Sequence, residues 1–271
     1  MSYPACPKCA HAPLPADQSF PAACPACGLI FAKFTAAASP VRVPAASAAQ
    51  ADNAAPDAEP AIIEKDPGLI QYWLLHVPEQ VSNVNWWARI AGLALFSLWT
   101  LWIWSDVDIP AGESGSRFLH IVLTPFHESG HYLIFRWFGQ FIMTLGGTLG
   151  QHLLPIVLGY ALLVKNRNPY GAAIALWLLG YSLIDMGVYM YDAFDPKLML
   201  LSGKTGAESD GHDWQNIFGD LGLLRHARGI GLFWGWIGYA VMLAGLVWAA
   251  YMVWLQRTKL TDSPFAEEEI G

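Results

Sequence analysis

The sequence predicts an all-α polytopic membrane protein carrying a small N-terminal β zinc ribbon. Three observations predict it. The 271 residues are 54% hydrophobic and only 14% charged, where soluble domains carry about 25% charged residues. Many of the 13 tryptophans stand near the ends of apolar runs (Trp86, Trp87, Trp102, Trp104, Trp137, Trp254), as in an interfacial aromatic belt. All four cysteines fall within residues 1–34, outside those runs. A net charge of −7 argues against a nucleic-acid surface. No secretory signal is read, because no apolar core precedes position 60.

Residues 1–34 contain Cys6-Pro7-Lys8-Cys9 and Cys24-Pro25-Ala26-Cys27. Each C-x-x-C turn points two thiolates at one centre, and two such turns make a closed tetrahedral site for a structural zinc. A segment this small has no core of its own, so metal binding would fold it. Reduced thiolates place this end in the cytoplasm. Residues 35–66 are rich in Ala and Pro and read as a flexible linker. Residues 67–87 have an apolar part too short to span and read as an interfacial segment.

The membrane domain is expected over 88–257. Its first span covers about 88–104. The second, about 118–138, contains His127-Glu128-Ser129-Gly130-His131, the pattern H-E-x-x-H. On a helix the two histidines lie about 40° apart in azimuth and can share one zinc ion. Glu128, one residue over, can act on a zinc-bound water without being a ligand. Intramembrane ionisable residues are costly and are read first as functional. His120, Thr124, His127, Glu128 and His131 share a stripe roughly 100° wide that should face other helices.

The run 139–151 contains three glycines in five residues, Gly146, Gly147 and Gly150. It reads as a re-entrant loop or an edge strand over the site, with Gly146, Gly147 and Gln151 as candidate substrate-binding residues. Close helix packing through small residues is the competing reading. A third span follows over about 152–164, a fourth over about 170–191 and a last over about 230–255. The fourth carries Asp185, a buried acid that needs a partner, and the nearest electropositive candidate is the proposed metal. The polar loop 193–228 holds His212 and Asp213, which are ligand types in a solvated setting. Residues 258–271 read as a disordered tail. Five full spans would put Lys165 and Arg167 on the side opposite the N-terminus. Four spans plus a re-entrant hairpin over 141–164 would keep them together with it.

These motifs together resemble the site-2 protease family of intramembrane zinc proteases. The matching residues are His127-Glu128-Ser129-Gly130-His131, Leu145-Gly146-Gly147 and Leu183-Ile184-Asp185-Met186-Gly187. The resemblance covers about 118–192. It implies a zinc metallopeptidase with His127, His131 and Asp185 as ligands and Glu128 as general base. The third motif departs from the family's Leu-Asp-Gly, which leaves Asp192, His212 or Asp213 as substitutes.

The expected cofactors are therefore two zinc ions, one catalytic and one structural. The expected partners are a membrane-protein or peptide substrate, the lipid bilayer and a protein met through the zinc ribbon. The expected location is the bacterial inner membrane. Two rival classes stand beside the protease. One is a non-catalytic metal- or haem-binding protein or transporter using His120, His127, His131 and His152. The other is a degenerate protease kept as a scaffold.

Overall fold

The structure is a computed structural model. It describes Ala5, Cys6, His11, Ala12, Leu14, residues 22–26 and residues 68–262. The chain divides into two units, 1–63 and 64–271. In the first, Cys6 and Cys24 are buried beside Leu14 and Ala22. Cys9, Cys27, the linker 35–66 and the end of the tail lie outside the described residues.

The second unit begins with helix α1 (Leu69–Leu74) and strand β1 (Val81–Ser82). Helix α2 (Asn83–Asp106) leads into a small hairpin of β2 (Val107–Asp108) and β3 (Glu113–Ser114). Helix α3 (Arg117–Ser129) continues as a wider π turn over Gly130–Ile134 and a tight 3-10 turn over Arg136–Phe138. Then come α4 (Gln140–Tyr160, extended by a π turn Ala161–Lys165), α5 (Pro169–Asp192), the short α6 (Asp213–Asp220), α7 (Ala227–Gln256) and β4 (Leu260–Thr261).

Four helices are long and apolar enough to cross a membrane: Asn83–Asp106, Gln140–Lys165, Pro169–Asp192 and Leu224–Gln256. The chain is an integral membrane protein on this evidence. Helix α5 is the hub, with Trp177, Tyr181, Ser182 and Ile184 almost wholly buried. It packs antiparallel on α7 through glycines, Gly180 against Gly238 and Gly187 against Gly231 and Gly235. A methyl group at Gly238 would lie 2.6 Å from the Gly180 carbonyl oxygen. Small residues let two backbones approach closely where no hydrophobic drive separates lipid from helix.

Three expectations change here. The run 139–151 is neither strand nor re-entrant loop. It is the first half of α4, and its glycines face α3: a methyl at Gly130 would lie 2.0 Å from the Gly146 carbonyl oxygen. The glycines therefore serve helix packing. Nor is 118–138 a full span. Its α-helical part has 13 residues, about 20 Å at 1.5 Å per residue. Its start is bonded to the middle of α5, with Tyr181 Oη donating to the Ser116 carbonyl at 2.6 Å. Its later part reaches the end of α5, where the His127 and Tyr189 rings are 6.2 Å apart. Thus α3 starts within the depth of the bundle and runs outwards. Finally, the tail does not begin at 258, because β4 pairs with β1 in parallel.

These facts fix which ends lie together. The β1–β4 pair puts the start of α2 beside the end of α7. The turn between α4 and α5 sits at that same end, since Tyr170 Oη donates to the Arg89 carbonyl at 2.8 Å. Lys165, Arg167, Arg257 and Lys259 therefore share one face with only four crossings.

Candidate metal centre

His127 and His131 stand on neighbouring turns of α3 and its π extension. The π turn is closed by the Phe135 amide donating to the Gly130 carbonyl at 3.0 Å, and such bulges recur at functional sites. Both imidazoles point at α4 where it is thinnest. A methyl at Gly147 would lie 2.2 Å from His131 Nε2 and 2.6 Å from His127 Nε2. Glycine is the residue that lets α4 pass there.

The third member is Asp213, the first residue of α6. His127 Nε2 and His131 Nε2 are 3.1 Å apart. Asp213 Oδ2 lies 3.0 Å from the first and 3.2 Å from the second. Among the described residues these three form a group whose ligand atoms could hold one metal ion. The donor set fits zinc. Ligand atoms bound tetrahedrally at about 2.0–2.1 Å stand about 3.3 Å apart, close to the edges of this triangle. His131 Nδ1 faces the Met143 carbonyl at 2.8 Å, and His127 Nδ1 faces Gln151 Oε1 at 3.3 Å. Each ring therefore keeps its proton on Nδ1 and turns an Nε2 lone pair inwards. Two lone pairs and a carboxylate oxygen converging within 3.2 Å repel one another unless a cation or proton lies among them.

Helix α6 is positioned by its apolar side. Trp214, Ile217 and Phe218 are buried against Met186, Met190 and Ala227, each contributing about 1.5–3 kcal/mol. At its N-terminus His212 is fully buried. Its Nδ1 accepts from the Gln215 amide at 3.1 Å, and its Nε2 donates to Asp192 Oδ2 at 3.2 Å. The Asp213 amide donates to Tyr189 Oη at 3.2 Å. Burial opposes ionisation of Asp213, but a second proton carried on Nε2 of a facing imidazole, in the place a cation would take, more than offsets it and holds the carboxyl below the usual carboxylate range.

The expected ligand Asp185 is not at this centre. Its carboxylate is taken by His120 Nδ1 at 2.9 Å and Gln151 Nε2 at 3.0 Å. Asp192 and His212 are bound to each other and do not join the centre either. Of the three substitutes it is Asp213 that meets the histidines. Gly146 packs on Phe135 and Gly130, not on an open groove. His152 is held by Ser182 Oγ at 2.7 Å.

Glu128 lines the same cavity of about 760 Å³ as His120, Thr124, His127, His131 and Asp213. All five residues of the sequence stripe thus border one space. No hydrogen bond restrains Glu128 among the described residues. The cavity runs from the β3–α3 junction, around Ser114 and Ser116, to a rim formed by Met199 and Leu201. Comparison with protein-family models, with curated protein sequences and with solved structures found no match.

Proposed function

We propose that this chain is a zinc-dependent intramembrane endopeptidase, as the resemblance to the site-2 protease family implies, with a ligand set of its own. The observation that carries this reading is the convergence of His127, His131 and Asp213 on one point in a cavity that Glu128 also lines. Two imidazoles and a carboxylate are a ligand set that leaves one position open for catalysis. A zinc ion held there supplies Lewis acidity, lowering the pKa of water and polarising a carbonyl.

The chain's own residues do the rest. Glu128, adjacent to the first ligand and unrestrained, takes the proton from the attacking water. It then delivers that proton to the nitrogen of the leaving amine. Met143 and Gln151 hold the two rings so that their lone pairs stay on Nε2. The substrate is a membrane-protein or peptide segment in extended form, since a helix hides its carbonyls in hydrogen bonds. Cys6, Cys9, Cys24 and Cys27 hold a second, structural zinc, and that unit recruits a protein partner.

The test is cleavage of a set of membrane-spanning peptides by the full chain in liposomes, with metal counted on the same sample. The expected result is two zinc ions per chain, and a Glu128→Gln variant that keeps both and cleaves nothing. Undiminished cleavage by that variant removes Glu128 as the base. A haem spectrum would replace this reading with the electron-transfer one.

A further inference from the structure

Behind His127 lies a polar chain to which the proposed function gives no task beyond a hydrogen bond: buried Gln151 and Asp185, ending at the exposed His120. Resting on the reading of His127, His131 and Asp213 as zinc ligands, we infer that Asp185 is a positioning residue that acts through Gln151 to set the tautomer of His127. Asp185 thereby governs metal affinity from outside the ligand set.

A carboxylate can only accept hydrogen bonds. Asp185 Oδ2 accepts from Gln151 Nε2 at 3.0 Å, and its two oxygens accept from His120 Nδ1 at 2.9 and 3.2 Å. The amino end of the Gln151 carboxamide is therefore committed to Asp185. The Ser182 carbonyl, 3.5 Å from the same nitrogen, favours the same orientation. The other end, Oε1, must then face His127 Nδ1, and it does at 3.3 Å. An acceptor at that place requires the ring proton on Nδ1. The lone pair is left on Nε2, the atom 3.0 Å from Asp213.

A reversed amide would present a donor to Nδ1 and favour a proton on Nε2, where the metal should be. Amides reverse at little cost unless a neighbour forbids it, and Asp185 is that neighbour. Gln151 is 6% exposed and Asp185 9%, so bulk water does not compete for either. His131 needs no such guard, because its partner is the Met143 backbone carbonyl, which cannot reverse. The outer partners of metal-bound histidines typically change metal affinity by ten- to a hundredfold.

The test measures zinc affinity of the more weakly held site by chelator competition, on the full chain in detergent. Gln151→Leu and Asp185→Asn should each weaken it ten- to a hundredfold, whereas Asp213→Asn and His131→Ala should abolish it. Nitrogen NMR of ¹⁵N-histidine-labelled, metal-free parent should show His127 carrying a proton on Nδ1, whatever the state of Nε2, with a fraction lacking it in Asp185→Asn. Parent affinity in both Gln151→Leu and Asp185→Asn overturns the inference, as does a parent His127 with no proton on Nδ1. So does loss of zinc in Asp185→Asn with none in Asp213→Asn, which would make Asp185 a ligand. If His131→Ala and Asp213→Asn both bind like the parent, it is the proposed function that falls. Should a variant misfold, the tautomer of the parent still decides.

Discussion

Asp185 is a buried acid, and its partner is His120, which shares a stripe with the H-E-x-x-H histidines. Periodicity places a residue on a face but does not choose among the groups that the face meets. Asp213 lies 86 positions from His127, in a stretch with no membrane signal. Its only sequence marks are the spacing of Trp214, Ile217 and Phe218 and the polar pair that opens the helix. Gly147 is a third instance. Its glycine run is legible, but the reason for it, contact with two imidazoles, is a distance between helices. Gly147→Ala should therefore weaken zinc binding at the histidine centre at least tenfold, with a stability loss of no more than about 1–3 kcal/mol. Chelator competition beside a thermal melt checks this. Parent affinity would mean that α4 does not press on the ligands.

At the scale of elements, α2, α5 and α7 were readable because each is a sustained apolar run, and α4 was readable only in its second half. The breaks were not. Three glycines in five residues argue against an isolated helix, yet α4 is continuous through them, since close approach to α3 repays the lost propensity. Conversely, 118–138 has the length of a span but is divided among three helical windings, and only its contacts with α5 show that it stops short of crossing. Helix α6 was hidden in a loop, although it carries Asp213, the third member of the histidine group. Phe218 is among the residues that hold it down. Phe218→Ala should cost about 3–5 kcal/mol in local packing. It should lower zinc affinity at least tenfold while leaving the far-ultraviolet helix signal nearly intact. Unchanged affinity would show that α6 is held by other means.

For the whole molecule, charge alone does not orient the bundle. Of the described basic residues, Arg89, Lys165, Arg167, Arg257 and Lys259 lie at one end and Arg136, Lys197, Lys204, Arg225 and Arg228 at the other, with Arg117 at the start of α3 between them. The positive-inside rule has no bias to act on. What the contacts do fix is which loops share a side. Single cysteines placed at 167 and 259, in a chain lacking residues 1–63, should react with an impermeant maleimide from the same side of the membrane. One at 204 should react from the other. Labelling of 167 and 204 from one side would mean that α5 does not cross.

The division of the ligands between α3 and α6 has a consequence for biosynthesis. His127 and His131 leave the ribosome first and enter the bilayer with a helix too short to cross it. Asp213 follows only after α4 and α5 are complete, and its helix docks on a surface that α4, α5 and the start of α7 provide together. On the proposed reading, the ion would then be captured only as a late step. Under the proposed function, a nascent or partly inserted chain would carry no competent centre, and hydrolysis would stay silent until Asp213 docks.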